Sequence, residues 1–235
     1  MLEKLKEIVC NANKELVRQN LVIYTWGNVS AIDREKELIV IKPSGVKYDD
    51  MKAEDMVIVD YNGNIIEGKF KPSSDTPTHI ELYKKFKNIG GIVHTHSTWA
   101  TQWAQAKRSI PVYGTTHADY FYGDIPCTRE LTKDEIEDEY EKNTGKVIIE
   151  TFLNIDENEI PGVLCGGHGP FTWGKDADTA VHNAKVLEKC AEMAYYTECI
   201  SEKKEKISQF LLDKHYQRKH GKNAYYGQDK YDNKI

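Results

Sequence analysis

GGIVHTHS, residues 90–97, reads as a short buried strand: two glycines at its entry, then apolar and β-branched residues. Strand side chains alternate between faces, so His94 and His96 project from the same face and can bind one ion. Immediately upstream, Thr76 and Pro77 read as the N-cap and first residue of a helix that runs through HIELYKKF (79–86) and stops near Gly90 and Gly91. The same alternation of helix and strand extends outward. Leu2, Leu5, Ile8, Val9, Ala12, Leu16 and Val17 recur at helical spacing, and LIVIK (38–42) and MVIVD (56–60) follow as strands. On the other side, Thr132 and Glu135 form a capping box that opens a helix over KDEIEDEYEKN (133–143). Gly145 is read as closing it before a strand KVIIE (146–150). Ala177, Ala180, Val181, Ala184, Leu187, Ala191 and Ala194 mark a long helix, and Phe210, Leu211 and Leu212 begin another that Gly221 ends. With no internal repeat or shift of composition, residues 1–228 read as one α/β domain, a sheet covered by helices on both faces, and residues 229–235 as a loose tail.

Composition removes several classes of function. The chain has 235 residues and a net charge of -5, with a pI near 5.9, so it offers no basic field for nucleic acid and any phosphate must be bound locally. No apolar run approaches the roughly 20 residues that span a bilayer. The start, MLEKLKEIVCNANKELV, carries acids and helical spacing instead of a basic region followed by an apolar stretch, which argues against a secretory signal. Five cysteines at scattered positions suit reduced thiols, and a cytoplasmic location is the expectation.

A third histidine, His168, lies in LCGGHGPF (164–171), where flanking glycines let the backbone turn and bring the ring toward another segment. Each histidine alone has an ordinary structural reading, but three imidazoles with an open position are what a catalytic zinc site needs. Manganese or another divalent ion would accept the same ligands. TWGNVS (25–30), KPSG (42–45) and KPSSDTPT (71–78) share small residues, hydroxyls, an amide and lysines, the donor set of a phosphate cradle. Ser73 and Ser74 also precede the helix at Pro77, whose free amides and dipole favour an anion. PSG and PSS are otherwise common turn sequences.

Taken together, TWGNVSAID, IKPSGV, KPSSDTPTH, GGIVHTHS, GTTHADYFYG, PCTR, GHGPFTWG, AVHNA, LLDKHYQRKHG and AYYGQ resemble the L-ribulose-5-phosphate 4-epimerases of the class II aldolase/epimerase family over about residues 1–228. The resemblance implies a three-layer αβα sandwich with a mixed, mostly antiparallel sheet, and a homotetramer with sites at its subunit interfaces. It implies that His94, His96 and His168 hold zinc, with Asp75 coordinating or orienting it. It further implies that Gly27, Asn28, Lys42, Ser44, Gly45, Ser73 and Ser74 grip the substrate phosphate. Asp119 and Tyr226 match the acid/base pair, the tyrosine coming from the adjacent subunit, and His215 a residue beside it. The implied reaction interconverts L-ribulose 5-phosphate and D-xylulose 5-phosphate by retro-aldol cleavage of the C3–C4 bond through an enediolate, because a proton on carbon 4 is not acidic. Arabinose and ascorbate breakdown both deliver that substrate. Two rivals share the fold: a fuculose-1-phosphate type of aldolase, which carries glutamate where this chain has Asp75, and the non-catalytic adducin head, which lacks the metal histidines.

Overall fold

In the computed structural model, which describes residues 2–226, the histidine-bearing segment forms β5 (Gly91–Thr95), buried at every position. β5 pairs antiparallel with β1 (Gly27–Asp33) on one side and β7 (Pro170–Gly174) on the other. β2 (Leu38–Ile41), β3 (Val57–Asp60) and β4 (Ile65–Glu67) extend the sheet beyond β1, and β6 (Gly162–Leu164) closes the far edge, giving the order β4-β3-β2-β1-β5-β7-β6. All pairings between these strands are antiparallel, so the expected mixed sheet is corrected. Among the described residues, parallel pairing is confined to an isolated bridge between Cys127 and Leu164.

Strand periodicity divides the core. Ile39 and Ile41 of β2 face one cluster with Ile92, while Val40, Val29 and Val93 face the other. The second cluster is covered by α1 (Glu3–Arg18) and the first half of α7 (Ala177–Ile200), which contribute Val9, Leu16, Ala180 and Ala184. The first is covered by α2 (Thr76–Lys85), α3 (Thr98–Gln105) and α6 (Tyr140–Thr151), through Ile80, Leu82, Tyr83, Trp103 and Ile148. Both faces of the sheet are therefore apolar and buried, each Ile or Leu there contributing about 1.5–3 kcal/mol by leaving water. Where β2 has not yet reached β1, Asn13 of α1 stands in for a strand, accepting from Val29 N (2.9 Å) and donating to Val29 O (3.1 Å).

Two expected elements change. The Thr132–Glu135 capping box is present, but it opens only the short α5 (Lys133–Glu137); Glu139 then takes a left-handed backbone (φ 48°) and α6 begins. KVIIE lies inside α6 as helix. Gly145 is an interior contact there, since a Cβ on it would sit 2.8 Å from Glu81 Cβ and 3.2 Å from Thr78 O of α2. Close approach to α2 buries Val147 and Ile148, and that packing overrides the β propensity of the run. α2 starts one residue earlier than expected: Asp75 is its N-cap and Thr76 its first residue, because the Thr76 hydroxyl donates to Ser73 O (2.6 Å) and prolongs the preceding turn. It ends at Phe86, whose ring packs on Phe152 and Trp173, before Gly90 is reached. The short α4 (Thr115–Ala118) and α8 (Gln209–His220) pack together, and Gly221 caps α8 as expected. The tail at residues 229–235 lies outside the described residues. Among the described residues no helix is long and apolar enough to cross a membrane.

Candidate active site

Register places the first site residues. Asn28 of β1 lies opposite His94 of β5, and His94 opposite Phe171 of β7, so three side chains form one row across the sheet. The His94 ring stacks on Phe171 with centroids 4.2 Å apart, and its Nδ1 lies 3.0 Å from Pro170 O. That hydrogen bond needs a proton on Nδ1 and leaves Nε2 free to act as a ligand. His96, just past the strand, and His168, in the glycine turn before β7, complete the group: one ring nitrogen from each of the three lies within 4.8 Å of the others, and His94 Nε2 is 3.1 Å from His96 Nε2.

These residues fit a divalent ion. Burial first, and then the neighbouring His94 and His96 rings, push His168 down to about 4, and burial lowers His96 as well. Both rings are therefore held in the neutral form that coordinates metal. Asp75 is beside this group but not within it. Asn28 Nδ2 donates to Asp75 Oδ2 at 2.6 Å. Burial pushes the Asp75 carboxyl up, but His94, His79 and the Asn28 hydrogen bond outweigh it and hold it below the usual carboxylate range.

The two KPS turns meet. Pro43 and Pro72 form an antiparallel bridge, Ser44 N donates to Lys71 O and Ser73 N to Lys42 O, both at 2.9 Å. Gly45 takes a left-handed backbone (φ 69°), and Gly27 (φ 131°) approaches β5 so closely that a Cβ would lie 2.8 Å from His94 O. Lys42 is 2 % exposed, and its ammonium reaches Pro43 O (3.3 Å) but, among the described residues, no carboxylate. Burial lowers its pKa to about 8. The Asn28 Oδ1 acceptor is buried without a partner among the described residues. A cleft of about 530 Å³ joins all of this: Gly27, Asn28, Lys42, Ser44, Gly45, Ser73, Ser74, Asp75, His94, His96 and His168 all line it.

Trp26, Tyr140 and Glu141 also line the cleft, and sequence reading missed them. Tyr140 OH lies 3.5 Å from His168 Nδ1. Nothing in DEYEKN marks Tyr140 and Glu141 as more than solvated helix, because the break that aims them at the cleft is a backbone kink at Glu139.

The remaining candidates gather elsewhere. Asp119, which caps the C-terminus of α4, receives Arg218 in a fork (Nε 3.1 Å, Nη2 2.7 Å) and His215 Nδ1 at 3.0 Å. Burial raises this carboxyl, but Arg218, His215 and Lys219 overcome the effect and hold it low. The Tyr226 ring lies beside the same cations, 4.8 Å from the Arg218 guanidinium carbon and 4.5 Å from Lys219 Nζ. Asp119, His215 and Tyr226 are therefore together, but none of them lines the histidine cleft of its own chain.

Residues 7–195 match the family described as class II aldolase and adducin N-terminal domain. The chain belongs to that family. Among solved structures it is similar to an L-fuculose 1-phosphate aldolase at 26% identity, with a TM-score of 0.77, covering 92% of this chain and 95% of the other. An L-fuculose 1-phosphate aldolase from Glaciozyma antarctica PI12 (17% identity, TM-score 0.76, 92% and 81% covered) shares the class II aldolase fold. So does one from Thermus thermophilus (21%, 0.67, 85% and 98%).

Proposed function

We propose that this class II aldolase family member is an L-ribulose-5-phosphate 4-epimerase, using zinc, or manganese in its place, at His94, His96 and His168. The observation that carries the reading is the shared cleft: a three-histidine group faces a paired-turn cradle holding a buried lysine that has, among the described residues, no carboxylate partner. The bound ion would supply stabilisation of the negative charge that develops when the C3–C4 bond breaks. The chain's own residues bind, orient and move protons. Lys42, the two KPS turns and Asn28 grip the phosphate and keep the aldehyde half from leaving while it turns over. Asp75, fixed by Asn28, orients the ligands.

Asp119 and Tyr226 exchange the proton of the 4-hydroxyl oxygen on opposite faces of the aldehyde. Neither lines the cleft of its own chain, which supports the reading that an adjacent subunit of a homotetramer supplies Tyr226. The two buried faces of the sheet support a single three-layer αβα domain.

The rival with an observation behind it is a sugar-phosphate aldolase, favoured by full-length likeness to an L-fuculose 1-phosphate aldolase. Asp75 is one methylene shorter than the glutamate that the resemblance assigns to those aldolases, so it reaches less far toward substrate. Incubating metal-loaded protein with L-ribulose 5-phosphate decides between them. D-xylulose 5-phosphate without free glycolaldehyde phosphate is the epimerase result, and free aldehyde as the main product is the aldolase result.

A further inference from the structure

α3 starts two residues after His96 and ends in contact with the His168 turn, so it couples the two histidine segments. Ala104 O near its C-terminus accepts from Gly167 N at 2.8 Å, and a Cβ on Gly169 would lie 3.5 Å from Thr101 Oγ1 in its first half. A helix in this position needs a fixed start, yet its N-cap, Ser97, makes no side-chain cap bond. The missing cap comes from another helix, α7. Glu188 of α7, 7 % exposed, accepts from Trp99 N through Oε1 and from Ala100 N through Oε2, both at 2.9 Å. Two of the free amides at the helix start are thereby satisfied by one buried carboxyl group, which also opposes the positive end of the helix dipole.

We propose that Glu188 is a positioning residue for the metal site: by clamping the first turn of α3 it sets where His96 stands relative to His168. The inference rests on the reading that the three histidines hold a divalent ion. Glu188 touches no histidine. Its influence passes through Ser97 to His96 at one end of α3, and through Ala104 and Gly167 to His168 at the other.

The test uses Co(II) as probe on the full chain, reading the visible ligand-field spectrum and the affinity against a competing chelator. In Glu188→Gln, an amide NH₂ replaces one acceptor and opposes a backbone N–H. Its Co(II) affinity is expected to fall roughly 10-fold or more, as for other groups that orient ligands, with an altered spectrum. Trp103→Phe is the control, removing a different α3–α7 hydrogen bond, Trp103 Nε1 to Ala191 O at 3.0 Å, while leaving the first turn alone. It is expected to lower Tm and keep the parent's Co(II) affinity and spectrum. If Glu188→Gln does not fold, Glu188→Asp, which keeps both oxygens on a shorter arm, is read the same way. Parent-like affinity and spectrum in the folded Glu188 variant overturn the proposal, as does an equal loss in Trp103→Phe. No Co(II) uptake by the parent overturns instead the metal reading on which it stands.

Discussion

A buried ammonium with no carboxylate beside it is an unfavourable arrangement that a bound anion corrects, and among the described residues Lys42 is in that state. Its lowered pKa, about 8, sets the sign of a pH effect. As pH rises through that value the free protein loses the Lys42 proton, and binding a phosphate dianion must put it back. Affinity for a phosphorylated ligand is expected to fall about tenfold per pH unit above pH 8, measured by calorimetric titration. Lys42→Met should weaken binding at pH 7 by about 10- to 100-fold, the equivalent of roughly 1.5–3 kcal/mol, and flatten that slope. Parallel slopes in parent and variant would remove Lys42 from the grip. At His96 the expectation concerns metal. His96→Asn should lose the ion and activity together, read by elemental analysis of purified protein, and unchanged metal content would refute the ligand assignment.

At the scale of elements, α6 is where local preference and packing disagree. Lys-Val-Ile-Ile-Glu after a glycine has strand character, yet it continues a helix, because Gly145 lets α6 press against Glu81 and Thr78 of α2. Gly145→Leu forces these helices apart and should cost about 1–3 kcal/mol, seen as a Tm several degrees lower. His94 lies on β5, His96 just past it and His168 in the turn before β7, none of them on α6, so metal content should stay at the parent level. A variant with the parent's Tm would mean that the α2–α6 contact contributes nothing. The start of the same helix explains why Tyr140 and Glu141 escaped sequence reading. They reach the cleft from the first turn of a helix whose start is set by the left-handed backbone at Glu139, and no residue type at that position announces it.

At the scale of the whole molecule, one chain holds two separate groups, a cleft with the histidines and the paired KPS turns, and a cluster of Asp119, His215 and Tyr226. If a neighbour completes each cleft, His96→Asn and Tyr226→Phe chains, each inactive alone, should regain activity after subunit exchange. Random pairing makes about a quarter of the sites intact. No recovery in verified mixed oligomers would put the acid/base pair within one chain.

By itself the sequence determined the three candidate histidines, the shared face of His94 and His96, the helices at both ends of the chain and the glycine turn that carries His168. All of these follow from alternation, helical spacing and turn chemistry among residues a few positions apart. Tertiary structure alone decided that Asn28 stands beside His94, that the turns of Lys42 and Lys71 pair, that KVIIE is helix, and that Asp119 is held by Arg218 away from the cleft. Those contacts join residues tens of positions apart. They are selected by strand register and by how closely two helices can approach, and neither is encoded in any short stretch of the chain.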